Sequence, residues 1–173
     1  MYSVYGFLFC GKPYIITLNK QFMSNLPEKF HEGVGRLLDH ISQESPSCLI
    51  ALGNSANKLT QELAIEAKIK GHHLPPVHNF PPSIGVSDYY DDIEGVLATV
   101  HADIPMVVED SAPTGVKVEK LRKRFGDRIK ISVVVSGQKI DGVYVVFDDD
   151  YDLAKHLDRE RSTPNDLRNR TQR

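Results

Sequence analysis

Glu109 and Asp110 stand side by side at the end of an apolar run, Met106-Val107-Val108, and ahead of a small-residue turn, Ser111-Ala112-Pro113-Thr114-Gly115. Adjacent carboxylates repel each other and desolvate poorly, so this placement asks for a partner. Ionised carboxylates only accept hydrogen bonds, which suits the two neighbouring hydroxyls of a ribose. Behind them, backbone N–H groups and the Thr114 hydroxyl could wrap a phosphate dianion at the start of a helix, where the dipole favours negative charge. The two halves describe a site for a sugar carrying a 5′-phosphate. The plain alternative is a Thr114 that caps the next helix behind two solvated acids. At average composition, two aliphatics, an acid, Asp, three residues, Ser/Thr and Gly should occur by chance in about one chain in a thousand of this length.

A second turn has suggestive chemistry. Gly53-Asn54-Ser55-Ala56-Asn57-Lys58 follows a short apolar run, Cys48 to Leu52. Small residues let a ligand approach the backbone, and N–H groups at a helix start attract anions. An ordinary turn has the same composition, and both readings stand on the sequence.

These turns need a frame. Residues 2–9 and 13–18 read as two strands of a hairpin around Gly11-Lys12. Phe30, Val34, Leu37, Leu38 and Ile41 recur at helical spacing over 27–44, with Pro27 suited to the first helical position. Cys48–Leu52 has the continuous apolar character of a strand covered on both faces. A helix is expected over 59–70, a long loop over 71–95, and strands near 95–100 and 104–108. Val118, Leu121 and Phe125 predict a helix after Gly115, and 129–135 and 143–147 read as strands. Strands alternating with helices imply an α/β fold with a parallel sheet and helices on both faces, which binds ligands at the carboxyl ends of its strands. From about Asp158 the chain is charged and Arg-rich, giving one domain over 1–157 and a disordered tail over 158–173.

The chain has 173 residues, 40% hydrophobic and 25% charged, with a formal net charge of −2. That balance gives no global basic field for nucleic acid, and acids interrupt the Arg-rich tail. No apolar run approaches a membrane span, and the apolar start lacks the basic region of a signal peptide. Cys10 and Cys48 have no metal-ligand spacing, so free thiols in a reducing cytoplasm are the expectation. His72, His73 and His78 beside Asp88, Asp91 and Asp92 fit no compact zinc motif.

The stretch VVEDSAPTG resembles the phosphoribosylpyrophosphate (PRPP) signature of the type I phosphoribosyltransferases. The organisation is similar to theirs over roughly residues 30–135. The resemblance implies a type I phosphoribosyltransferase-like fold with a small hood, transferring the phosphoribosyl group from PRPP to a nucleobase with release of pyrophosphate. It gives Glu109 and Asp110 the ribose hydroxyls and the catalytic position, and Ser111, Ala112, Pro113, Thr114 and Gly115 the 5′-phosphate. Asn54, Ser55, Ala56 and Asn57 would line the pyrophosphate site. Residues 71–95 hold the place of a mobile flap. Mg²⁺ would arrive on pyrophosphate and ribose oxygens, because it prefers phosphate oxygens to all-protein cages. A nucleoside monophosphate is the implied product, and a homodimer the implied assembly.

Two departures shape this expectation. Pro113 stands where family members acting on 6-oxopurines usually carry an Asp, and proline has no N–H to offer a phosphate. The 71–95 segment lacks the cations that usually grip pyrophosphate. Both leave room for a PRPP- or nucleotide-binding regulator without catalysis. Lys117 reads as a solvated surface lysine within reach of a phosphate. In DGVYVVFDDDYD the resemblance to the hood of hypoxanthine–guanine enzymes points to Tyr144 and Phe147 for stacking on a base, which gives a weak lean toward a purine, and to Asp150 for a place by the metal. Strand alternation instead turns Val143, Val145 and Phe147 toward the core and leaves the acids in solvent.

Overall fold

The computed structural model describes residues 4–9, 12–17, 28–83, 85–100 and 104–161. Cys10, the Gly11 turn, Pro27 and residues 162–173 of the expected tail lie outside the described residues. The chain divides into two compact units, Met1–His31 and Glu32–Arg173. In the first, β1 (Val4–Phe9) and β2 (Lys12–Thr17) form the expected antiparallel hairpin, with Val4 opposite Thr17 and Phe9 opposite Lys12.

The second unit is built on a five-stranded sheet, all parallel, in the order β4-β3-β5-β6-β7. Its strands are β3 (Leu49–Leu52), β4 (Val77–Phe80), β5 (Met106–Ala112), β6 (Lys130–Ser136) and β7 (Tyr144–Phe147). The helices are α1 (Glu28–Glu44), whose first four residues fall in the first unit, α2 (Asn54–Lys70), α3 (Tyr90–Leu97), α4 (Val116–Phe125) and α5 (Tyr151–Arg161). From β3 the chain steps outward to β4, then returns past β3 to lay down β5, β6 and β7. Parallel crossovers are right-handed, so this reversal sends α2 to one face and α4 to the other.

Burial agrees with that layering. On one face Ile50, Leu52, Val107, Ile131 and Val133 join Tyr89, Ile93 and Val96 and the α4 residues Val118, Leu121 and Phe125 in one apolar cluster. On the other, Gly33 of α1 lies against Val134 and Phe147, and α2 and α5 lie against β5. The parallel sheet with helices on both faces expected from the sequence is the fold observed.

Four elements differ from the expectation. α2 starts at Asn54, not 59, because Asn57 N–H already donates to the Gly53 carbonyl at 3.0 Å and opens the helical ladder. β4 lies within the expected loop, paired along β3 from Leu49↔Val77 to Leu52↔Phe80. The strand expected near 95–100 is instead the end of α3, whose Ile93 and Val96 are buried one helical turn apart. α5 occupies residues read as acidic hood and tail, and its backbone runs on to Arg161.

Candidate functional site

The sheet order reverses between β3 and β5. Ligands of open α/β sheets sit at such switch points, outside the carboxyl ends of the strands. The two strands pair through Leu49↔Met106, Ile50↔Val107 and Ala51↔Val108. Beyond that β3 turns away at Gly53 while β5 continues to Ala112. The crevice therefore lies between the Gly53–Asn57 turn and the last residues of β5.

Glu109 and Asp110 are in β5 itself, 3% and 1% exposed. They are not the solvated acids of the plain alternative. Successive strand residues alternate across a sheet, so the two carboxylates belong to opposite faces. Glu109 is on the α4 side, where its Oε1 lies 2.6 Å from Lys117 Nζ. Burial pushes the Glu109 carboxyl above the usual carboxylate range, and the Lys117 ammonium pulls it back down. On Asp110, Oδ1 accepts the Ser111 N–H at 2.9 Å.

The anion turn is shorter than its sequence suggests. Ser111 and Ala112 belong to the β5 ladder, opposite Val135 and Ser136, so the turn proper is Pro113-Thr114-Gly115. Thr114 does not cap α4: the capping position is Gly115, at φ 67°, with no side-chain cap bond. A Cβ at Gly115 would also meet Gln138 Nε2 at 2.7 Å. The sequence reading missed what braces this turn. The Ala112 carbonyl accepts from Gly115 N–H at 3.3 Å, Gly137 N–H at 3.2 Å and Ser136 Oγ at 3.2 Å. Gln138 Nε2 donates to the Thr114 carbonyl at 2.9 Å. The signal available was the Ser136-Gly137 pair closing the 129–135 apolar run.

Lys117 is not the solvated surface lysine its position suggested. From the first turn of α4 its ammonium donates to the Leu52 carbonyl at 3.0 Å, pairs with Glu109, and lies 5.5 Å from the centre of the Tyr89 ring. It ties the end of β3 to β5 across the crevice. Tyr89, buried, accepts the Ser83 N–H on its hydroxyl at 2.8 Å and so anchors the 71–95 segment beside the same point.

Asn54, Ser55, Ala56 and Asn57 form the first turn of α2. The N–H groups of Asn54, Ser55 and Ala56 run along the helix toward its amino end, the geometry that favours an anion, while that of Asn57 is bonded to the Gly53 carbonyl. Asn57 Nδ2 donates to the Phe80 carbonyl at 3.2 Å, and Gly53 N–H donates to the same carbonyl at 3.1 Å, so β4 fixes this turn. Ala56 is fully buried.

The three late residues sit elsewhere. Tyr144 stacks on His40 of α1, ring centres 3.6 Å apart. Phe147 lies under the Arg36 guanidinium at 5.2 Å and against Gly33. Val143 and Val145 pack on the α3–α4 cluster, as alternation predicted, but Phe147, expected to turn inward with them, lies against α1 instead. Asp150 Oδ1 accepts the Leu153 N–H at 3.1 Å, and its own N–H donates to the Ser136 carbonyl at 3.0 Å, so it caps α5. Among the described residues no group of three His, Cys, Asp or Glu side chains is disposed to hold a metal ion, and no helix is long and apolar enough to cross a membrane. A cavity of ≈ 520 Å³ beside Ser42 and His72 lies at the amino-terminal ends of β3 and β4, away from the switch point.

No family model and no curated protein matches the chain. Among solved structures it is similar to an HGPRT-ase from Leishmania tarentolae in complex with GMP, at 16% identity over 70% of this chain and 73% of that one, with a TM-score of 0.45. It is similar to a purine phosphoribosyltransferase from Pyrococcus horikoshii Ot3, at 14% identity over 70% and 84% of the two chains, TM-score 0.43. It is also similar to a hypoxanthine phosphoribosyltransferase from Staphylococcus aureus, at 14% identity over 76% and 82%, TM-score 0.44. None is close enough to transfer a substrate or a residue role to this chain.

Proposed function

We propose that this chain is a phosphoribosyltransferase that binds PRPP at the β3–β5 switch point and transfers its phosphoribosyl group to a nucleobase, with release of pyrophosphate. One observation carries the reading: two nearly fully buried carboxylates, Glu109 and Asp110, stand on opposite faces of β5, two residues before the strand ends in the braced Pro113-Thr114-Gly115 turn. Burying ionisable acids costs free energy, and acids at a switch point fit a ligand rich in hydroxyls. The 5′-phosphate lies at the turn and the amino end of α4, with the ribose hydroxyls toward the acids. Pyrophosphate leaves toward the first turn of α2. Bond breaking at the anomeric carbon builds positive charge on the sugar and negative charge on the leaving group. The protein's share is positioning and charge stabilisation.

Mg²⁺ enters as part of the substrate, bound to PRPP oxygens. The described residues do not build a cage for it: Asp150 caps α5, and Glu109 is paired with Lys117.

A second reading, a PRPP- or nucleotide-binding regulator, is favoured by the base side. Pro113 has no N–H or acid to offer a base, and Tyr144 and Phe147 are engaged with α1. Pyrophosphate release from PRPP with Mg²⁺ and a panel of nucleobases, run beside calorimetric titration with PRPP and nucleoside monophosphates, separates the two. Turnover with any base supports the enzyme. Binding without turnover supports the regulator. No binding of any phosphoribosyl compound overturns both.

A further inference from the structure

Lys117 holds an unusual place. Its ammonium lies 2.6 Å from Glu109 Oε1 and 3.0 Å from the Leu52 carbonyl, so it spans the two strand ends that define the crevice. An ammonium has three N–H donors, and these partners take two. The pair is asymmetric in its access to solvent: the Lys117 side chain is 31% exposed, that of Glu109 4%. One N–H of the ammonium is therefore left over, on a side chain that is itself part-exposed. Positioned at the second residue of α4, the ammonium stands beside the same helix start that the Pro113–Gly115 turn feeds. The 71–95 segment supplies no Lys or Arg there.

We propose that Lys117 is a ligand-binding residue of this crevice, its ammonium seated between the Glu109 carboxylate and the Leu52 carbonyl and donating its remaining N–H to an anionic oxygen of a phosphorylated sugar. This rests on the reading of the switch point as a phosphoribosyl site. It adds that the chain carries a fixed cation there, so recognition of the phosphate needs no divalent metal. An ammonium held by two partners loses little further freedom on meeting a third, and a charge-assisted bond is about twice as strong as a neutral one.

The test uses the full chain and ribose 5-phosphate in excess EDTA. Calorimetry is expected to show binding by the wild type, at least roughly tenfold weakening in Lys117→Met, and affinity within a few-fold of wild type in Lys117→Arg. A second measurement needs no variant. Amine acetylation followed by mass spectrometry is expected to show Lys117 protected by saturating ribose 5-phosphate, with the exposed Lys120 and Lys123 of α4 labelled equally with and without it. Wild-type affinity in Lys117→Met, or a Lys117 acetylation rate that the ligand does not change, overturns this inference and leaves the phosphoribosyl reading standing. Absence of wild-type binding to ribose 5-phosphate, nucleoside monophosphates and PRPP overturns both.

Discussion

Gly137 lies so close to the Pro113 carbonyl that a Cβ on it would come within 2.2 Å of the oxygen. The loop after β6 and the turn after β5 are thus fitted backbone to backbone, and the obstructing atom is one that cannot rotate away. Gly137→Ala must displace one of them. The expected cost is about 1–3 kcal/mol, in line with other overpacking substitutions, read as a lower denaturant midpoint at unchanged slope. Loss of affinity for ribose 5-phosphate is expected with it. An alanine variant as stable as wild type would show that this contact does not hold the turn.

Gly115 carries a different constraint, its positive φ of 67°. Gly115→Ala is expected to lose about 1–2 kcal/mol from the left-handed conformation. Its Cβ would also crowd Gln138 Nε2 at 2.7 Å, but that is the end of a flexible side chain. Adding Gln138→Ala should recover little stability, since most of the cost is in the backbone. Thermal melts of the two variants check this; full recovery in the double variant would place the cost in the side-chain clash.

Glu109 predicts the direction of a pH effect. Its folded carboxyl sits above the usual range because of burial, against the pull of Lys117. Between the unfolded value and the raised folded one, the native state binds more protons than the unfolded state. Stability from this group is therefore undiminished below the unfolded pKa and falls as pH rises toward the folded one. Glu109→Gln, which cannot ionise, should flatten that fall. Chemical denaturation at a series of pH values checks it, and identical slopes in the two proteins would count against the assignment.

Asp150 has a structural reason to exist without any metal. Asp150→Ala removes the side-chain cap of α5 and is expected to cost about 0.5–2 kcal/mol, while Asp150→Asn or Asp150→Ser recovers most of it. An Asp150→Asn variant that keeps its stability but loses Mg²⁺-dependent PRPP turnover would give the carboxylate a role beyond capping.

If the proposed function holds, Asp110→Asn is expected to weaken PRPP binding about tenfold or more, since it would remove a charge-assisted acceptor for a ribose hydroxyl. Calorimetric titration measures it directly, and an unchanged affinity would remove Asp110 from the site.

What was legible in the sequence followed from local pattern. Cys48–Leu52 and Met106–Val108 are continuous apolar runs, 129–135 is apolar except at Lys130 and Ser132, and α1 and α4 show their buried stripes. β4 was hidden because Val77-His78-Asn79-Phe80 is half polar and owes its extended shape to pairing with β3. α3 was misread because Gly95-Val96-Leu97-Ala98 is a short apolar run, whose helical state is fixed by Ile93 and Val96 meeting the sheet. α5 shows few apolar residues; Ala154 and Leu157 are buried, and the Asp150 cap starts it. The acids and the turn of the candidate site stood out because they are contiguous. Lys117 and the Ser136–Gln138 brace were not, because their partners come from distant strands.

The Ala112 carbonyl, gripped by two amides and a hydroxyl, also bears on the thermodynamics of recognition. A turn whose conformation is already fixed before a ligand arrives forfeits little backbone entropy on binding it. Its amides at Gly115 and Gly137, though in loops, should exchange with solvent about as slowly as those of the neighbouring strands. Under the proposed function the turn would meet phosphate as a rigid receptor, and the motion of any catalytic or signalling cycle would have to come from elsewhere in the chain.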